Sequence, residues 1–468
     1  MASANRIERD VVIIGAGASG LTAANALRDA GHSVVVLEAR DRVGGRLWTR
    51  EIDGATLEIG GQWVSPDQDA LIDTLAELGL ETYSRYREGD SVYVAADGTR
   101  TRFTGEIFPV APETAAEIER LIALLDGLVA EVDPAAPWDH PRAAEYDQVS
   151  WKQWLSEQTD DVEARDNIAL YIAEAMLTKP SHAFSLLQAL LMAASAGSFS
   201  HLVDADFILD KRVVGGLQQV PLKLAERLGD DVILNAAVRR LEWTGGADAS
   251  GADGTPIQGV VAYADGGIEV AARRAIVALP PNLFERIDFQ PALPRLVQQA
   301  HQHLSLGLVI KVHAVYATPF WREQGLSGTA FSPYRIVHEA YDNSYDGDPR
   351  GTLVGFVSDQ KADDVFSLPA EERKARILAS LADYYGPEAL SPEVYFESDW
   401  AAEEWTRGAY AASYDLGGLS RYGAHQTTPV GPIHWSCSDF APEGYQHVDG
   451  AIRLGRTTAA AIAEQLRG

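Results

Sequence analysis

The stretch Val11–Arg50, VVIIGAGASGLTAANALRDAGHSVVVLEARDRVGGRLWTR, limits what this chain can fold into more than any other part of it. It opens on Val11–Ile14, an apolar run with the length and β-branching of a strand buried on both faces. Gly15, Gly17 and Gly20 follow as G-x-G-x-x-G, and Leu21–Ala30 reads as an Ala- and Leu-rich helix stopped by Gly31. A second strand, Ser33–Leu37, delivers Glu38 at its end. The pattern by itself is weak: with 41 glycines in 468 residues, it arises by chance roughly 0.3 times in such a chain. The context makes it specific. A tight strand-to-helix turn, backbone open to a pyrophosphate, a helix N-terminus facing it and a carboxylate for ribose hydroxyls are what a dinucleotide requires. The fold expected is α/β, with a Rossmann-like domain.

Arg42–Arg46, R-V-G-G-R, adds a second glycine pair and a guanidinium able to reach a phosphate. This extension resembles the glutathione-reductase-like flavoproteins more than the nicotinamide dehydrogenases, and implies FAD.

Composition narrows the partners. Lys and Arg number 39 against 67 Asp and Glu, a net charge of −28, which argues against nucleic acid and anionic membrane surfaces and suits a small cationic ligand. A single cysteine, Cys437, excludes an internal disulfide and a cysteine-rich metal site, and the histidines show no ligand spacing, so no metal is expected. The opening MASANRIERD is polar, and no run of about eighteen apolar residues occurs. A cytoplasmic protein without a membrane segment is the expectation.

Helical periodicity covers Asp69–Leu78, Pro112 to about Val132, and much of Trp151–Ala196. Short strands are expected at Ser91–Ala95 and Thr101–Phe103 about the Asp97-Gly98 turn, at Val238–Trp243, at Gly259–Tyr263 with Ile268–Ala271, and separately at Arg274–Leu279. A polar loop, Gly245–Gly254, lies among them. Leu306–Tyr316 reads as a strand, with Ile336–Tyr341 and Thr352–Val357 as its neighbours, and Val448–Arg467 as the last helix. Two discontinuous domains are expected. One, of 8–87, 210–287 and 400–468, would bind FAD. The other, of 88–209 and 288–399, would pair a mixed sheet with helices and hold substrate.

The N-terminal block, LEIGGQW (Leu57–Trp63), the lone lysine of LVIKVH, EWTRGAYAASYD and GYQHVDGAIRLG together resemble the flavin-containing monoamine oxidases over nearly the whole chain. VSPDQ, LMAASAGSFSHL and VIKVHAVYATPFWRE are similar to bacterial members that oxidise putrescine. The resemblance implies a glutathione-reductase-like FAD domain and oxidation of one end of a short diamine, with O2 as acceptor. Another oxidase of the same superfamily, for a monoamine or polyamine, and a flavin-binding protein without turnover remain alternatives. So does a homodimer as the assembly.

By resemblance, Gly15, Gly17, Ala18, Ser19 and Gly20 cradle the pyrophosphate, Glu38 takes the ribose and Arg46 a phosphate. Gly61, Gln62, Trp63, Trp405 and Ala409 border the cofactor, Val238 meets the adenine and Val448 the flavin pyrimidine. Asp439 stands where the family directs a carboxylate, commonly Glu, at the ribityl chain or phosphate. Lys311, in an apolar strand, corresponds to the lysine that holds a water beside the flavin. Ala409 replaces the cysteine of members with covalent flavin, so non-covalent FAD is implied. Tyr410 is one wall of an aromatic pair about the amine, and the other wall falls on His447 or Tyr445. Glu339, on an otherwise apolar strand, is the carboxylate expected to hold the second ammonium of a diamine.

Overall fold

A computed structural model describes residues 5–244 and 259–467, so the expected loop at 245–254 lies outside the described residues. The architecture rests on two large sheets. The first has eight strands, ordered Val232–Ile233, Val34–Leu37, Asn5–Ile14, Ile268–Val277, Val260–Ala264, Val238–Trp243 and Asp288–Gln290, with Ile433–Trp435 also pairing to Ile268–Val277. Its first four strands run parallel, as does Ile433–Trp435. Val11, Val12, Ile13 and all of Val34–Leu37 are buried, as strands covered on both faces must be. Helices Ala18–Asp29 and Val448–Arg467 pack on one face, where Leu21, Leu27, Ile452 and Ile462 share a core with Ile13 and Val36.

The second sheet has seven strands, ordered Val394–Glu397, Val309–Tyr316, Gly351–Ser358, Glu339–Asp342, Leu326–Phe331, Asp90–Val94 and Arg100–Phe103. It is antiparallel except where Leu326–Phe331 runs parallel to Asp90–Val94. Its central strands, Val309–Tyr316, Glu339–Asp342 and Gly351–Ser358, are buried throughout. Helices Pro112–Val129, Trp151–Gln158, Val162–Ala169 and Leu186–Ser195 form a lobe beside it. Between the last two lies a π-helical segment, Leu170–Leu177, ending on a left-handed Thr178.

Several expectations change. Ile268–Ala271 and Arg274–Leu279 are one strand, Ile268–Val277, because the charged pair Arg273-Arg274 sits where the strand leaves its antiparallel partner and lies partly in solvent. Asp288–Gln290 joins the first sheet by pairing with Arg240–Glu242, so that sheet extends past residue 287. The strand expected at Ile336–Tyr341 starts only at Glu339 and runs to Asp342, and it meets Val309–Tyr316 through the intervening Gly351–Ser358. Strand Leu326–Phe331 went unread, since Ser327, Gly328 and Thr329 break its apolar pattern.

Candidate active site

A continuous cavity runs between the two sheets, from the glycine turn at Gly15 to Glu339. Of the residues singled out from sequence, Gly20, Asp439 and the alternative wall Tyr445 do not line it; all the others do.

At the first end, the turn after Asn5–Ile14 is forced by sterics. Gly15 has φ +108°, and a Cβ there would lie 2.7 Å from the Ala278 carbonyl oxygen. A Cβ on Gly20 would lie 2.1 Å from the Gly15 oxygen, so Gly20 serves the turn from behind. A Cβ on Gly17 would project into open space, the side from which a ligand can approach the backbone. Helix Ala18–Asp29 begins here without any side-chain cap. Among the lobe helices, Ser150, Asp161 and Ser185 each accept an N–H of the helix they precede, as Ser198 does for Phe199–Val203, while Pro112–Val129 starts on a proline without a side-chain cap. The uncapped N–H groups and positive end of Ala18–Asp29 therefore face a cavity shaped for an anion. Glu38 is buried and accepts from the backbone N–H of Ala16 at 2.8 Å and of Arg40 at 3.0 Å. Its position is fixed while it still borders the cavity. Trp405 lies under the guanidinium of Arg286 at 4.3 Å, and Val238 borders the same end. These donors and surfaces fit a flavin dinucleotide.

Arg46 sits on the cavity with its charge already matched. Asp439 binds it through both carboxylate oxygens, at 2.5 and 3.2 Å, and Ser438 and the Tyr410 carbonyl accept from it at 3.1 and 3.2 Å. Burial alone would lower the Arg46 pKa, but the Asp439 charge outweighs it and the guanidinium is held protonated. Asp439 also accepts from the Ala412 N–H. Its oxygens are thus turned toward Arg46 and the chain, so that Asp439 positions Arg46 at the cavity.

Lys311 is buried and borders the middle of the cavity. Its ammonium donates to the carbonyls of Glu58 at 2.8 Å and Gly60 at 2.9 Å and to the Gln62 side-chain oxygen. These three acceptors hold the ammonium against the segment that runs from Glu58 to Gln62. Gln62 in turn donates to Asn343 at 2.7 Å. Burial pulls the Lys311 pKa down to about 7, Arg212 adding to the effect and Glu58 opposing it. Arg212 and Glu58 form a fully buried pair, 2.7 Å apart, and Arg212 also donates to the Asn343 carbonyl at 2.8 Å. Glu58 lay within LEIGGQW, but nothing in the sequence pointed it at Arg212.

The second end is aromatic around one carboxylate. Tyr341 donates to Glu339 at 2.8 Å, Trp63 meets Tyr341 edge-on, and Phe356 meets Tyr410 edge-on at 6.1 Å. Burial, and after it the Glu339 charge, raises the pKa of Tyr171, Tyr341 and Tyr410, so all three phenols stay neutral. Among the described residues no Lys or Arg lies within 4.0 Å of Glu339, and the nearest basic group is His338, at 3.5 Å. The two candidates for the second wall are placed differently. Tyr445 is buried away from the cavity, with its hydroxyl toward Gln188 and Ala412, whereas His447 borders the cavity from an exposed position. Phe356, the ring that meets Tyr410, escaped the sequence reading because it looked like ordinary core of Gly351–Ser358.

A family model described as flavin containing amine oxidoreductase matches residues 18–463. Putrescine oxidase of Kocuria rosea is 61% identical over 465 residues, covering 99% of this chain and 96% of that one. A solved putrescine oxidase, described as the wild type bound to putrescine, is 64% identical with TM-score 0.94, covering 98% and 99%. Cyclohexylamine oxidase from Brevibacterium oxydans is 31% identical with TM-score 0.91, covering 98% and 100%.

Lys311 has a consequence for stability. Its pKa falls from 10.5 in the unfolded chain to about 7 in the fold. Between these values the unfolded chain holds the extra proton, so this group disfavours folding most below pH 7 and progressively less as pH rises toward 10.5. The melting temperature of the protein minus that of Lys311→Met should therefore rise from pH 7 to 9.5, about a unit short of the unfolded value. A pH-independent difference would contradict the assignment.

Proposed function

The chain belongs to the flavin-containing amine oxidoreductases, and from that premise we propose that it oxidises putrescine at one of its two amines. The overall change is putrescine, O2 and water to 4-aminobutanal, ammonia and H2O2. One observation carries the choice of a diamine: Glu339, a buried carboxylate on the cavity with no Lys or Arg partner among the described residues.

An isolated carboxylate in such surroundings is unfavourable unless a cation joins it. The distal ammonium of a diamine is that cation. Tyr341 holds one oxygen of Glu339, which orients the carboxylate while leaving its charge uncompensated. Tyr410 and Phe356 exclude water from the other end of the substrate. The reacting nitrogen there must be neutral, since its lone pair has to stabilise the carbon as the hydride departs, and an aromatic wall favours the neutral amine. FAD, when bound, would supply the acceptor for that hydride, with O2 as the final oxidant. Lys311 fixes the Glu58–Gln62 segment against the cavity through its three acceptors. The Gly15–Ser19 turn with the uncapped helix would hold the pyrophosphate, Glu38 the ribose, and the first turn of Val448–Arg467 the flavin pyrimidine. An amino-acid substrate would need a free guanidinium for its carboxylate. Arg46, the cavity arginine nearest Tyr410 along the hydrogen-bond network, is occupied by Asp439.

Glu339→Gln keeps the shape and removes the charge. Losing one partner of a desolvated pair costs about 2–5 kcal/mol. Taking the lower end, kcat/KM for putrescine should fall about 30-fold, while that of an aliphatic monoamine stays level or improves. Equal losses on both substrates would return Glu339 to a structural role.

The flavin is held without a covalent bond in this reading. Ala409 offers no thiol, and the cavity's one sulfhydryl, Cys437, is kept protonated by burial and by Asp439. Acid or heat denaturation should release the yellow cofactor into the supernatant. Flavin that stays with the precipitate through denaturant washes would overturn this.

A further inference from the structure

His338 lies directly behind the Glu339 carboxylate. The residue is fully buried, and neither ring nitrogen has a hydrogen-bond partner. Its backbone is pinned on both sides, the N–H donating to the Phe356 carbonyl at 3.0 Å and the carbonyl accepting from Ser332 at 2.8 Å. The ring is thereby wedged between two carboxylates, with Nε2 3.5 Å from Glu339 Oε1 and Nδ1 3.7 Å from Glu174 Oε2. These separations are just beyond a hydrogen bond, and in ligand-free sites such contacts commonly tighten on binding.

The two carboxylates differ in what else they meet. Glu174 is neutralised by Lys361 at 2.8 Å, and Lys361 also donates to the Pro333 carbonyl. Glu339 has only the Tyr341 hydroxyl, on its other oxygen. Glu174 also belongs to the π-helical segment Leu170–Leu177, whose next residues, Ala175 and Met176, line the cavity. His338 thus stands between the unpaired carboxylate and a wall of the substrate space.

We propose that His338 is a positioning residue for diamine recognition: its Nε2–H closes on Glu339 Oε1 while Tyr341 holds Oε2, so that the carboxylate is clamped with its charge toward the distal ammonium. A buried imidazole with no partner is unfavourable in the free protein, and closing on Glu339 relieves that when the cation arrives. The outer approach to Glu174, itself held by Lys361, keeps the ring from turning away. The inference rests on the diamine reading of Glu339, and its test separates the two.

The experiment compares KM and kcat for putrescine and for an aliphatic monoamine in the FAD-loaded enzyme, with flavin content and melting temperature measured alongside. His338→Leu removes both nitrogens at similar bulk, and His338→Gln restores a donor near the Nε2 position. In His338→Leu, KM for putrescine should rise about tenfold, as loss of one hydrogen bond to a charged group implies, with kcat and the monoamine constants unchanged. His338→Gln should recover most of that loss. In the double variant Glu339→Gln/His338→Leu, the second change should add nothing, because His338 acts only through Glu339. If Glu339→Gln leaves the diamine-to-monoamine ratio intact, the diamine reading itself fails. If Glu339→Gln collapses the ratio while His338→Leu at full flavin content does not, only the role of His338 fails. Should His338→Leu not fold, His338→Gln and Glu174→Gln decide it. A KM for putrescine that is raised in Glu174→Gln and spared in His338→Gln supports the clamp, and no change in Glu174→Gln contradicts it.

Discussion

The structure turns on a buried knot of charge in which Lys311 donates to the carbonyls of Glu58 and Gly60 and to Gln62, while Arg212 binds Glu58 and the Asn343 carbonyl. Four segments meet there: strand Ala55–Glu58, strand Lys211–Val213, strand Val309–Tyr316 of the second sheet, and the turn that follows Glu339–Asp342. None of these groups could be left alone. Removing one partner of such a buried pair costs about 3–5 kcal/mol because the other charge stays behind. The knot therefore ties two small sheets, Thr49–Ile52 with Ala55–Glu58 and the one that holds Lys211–Val213, to the second large sheet, and so fixes the middle of the cavity, which Lys311 and Gln62 line.

Set against that knot, the charge arrangement along the cavity explains the division of labour. Arg46 is answered by Asp439, Arg212 by Glu58 and Glu174 by Lys361. Glu339 alone of the carboxylates in these clusters has no Lys or Arg within 4.0 Å among the described residues. The first end instead offers neutral donors, the N–H groups at the uncapped start of Ala18–Asp29, to an anionic cofactor. One cavity thus presents donors to a phosphate at one end and an uncompensated carboxylate to a cation at the other. The net charge of −28 reinforces attraction of a diammonium ion without selecting it.

Local signals carried much of this in the sequence. The glycine turn, the following helix, Glu38 and the last helix were legible because each is dictated by neighbours within a few residues, and Val448–Arg467 was read at its observed bounds. Lys311 and Glu339 stood out because a charge in an apolar strand is unusual wherever it falls. What escaped were relations between distant segments. Asp439 and Arg46 are 393 positions apart, and only their 2.5 Å contact reveals that the acid serves the arginine. Phe356 beside Tyr410 and His338 behind Glu339 look like core in sequence, and Tyr445, a plausible wall by motif, turns its ring into the protein.

The central claim is that Glu339 exists to meet the second ammonium of the substrate. The most direct measurement is an experimental structure of the FAD-loaded enzyme reduced by excess putrescine without oxygen, so that diamine remains bound. The account predicts one nitrogen of the diamine at about 2.8 Å from a Glu339 oxygen, with the other nitrogen beside Tyr410 and Phe356. A diamine whose distal nitrogen lies among water or against another group, with Glu339 still unpaired, would contradict it.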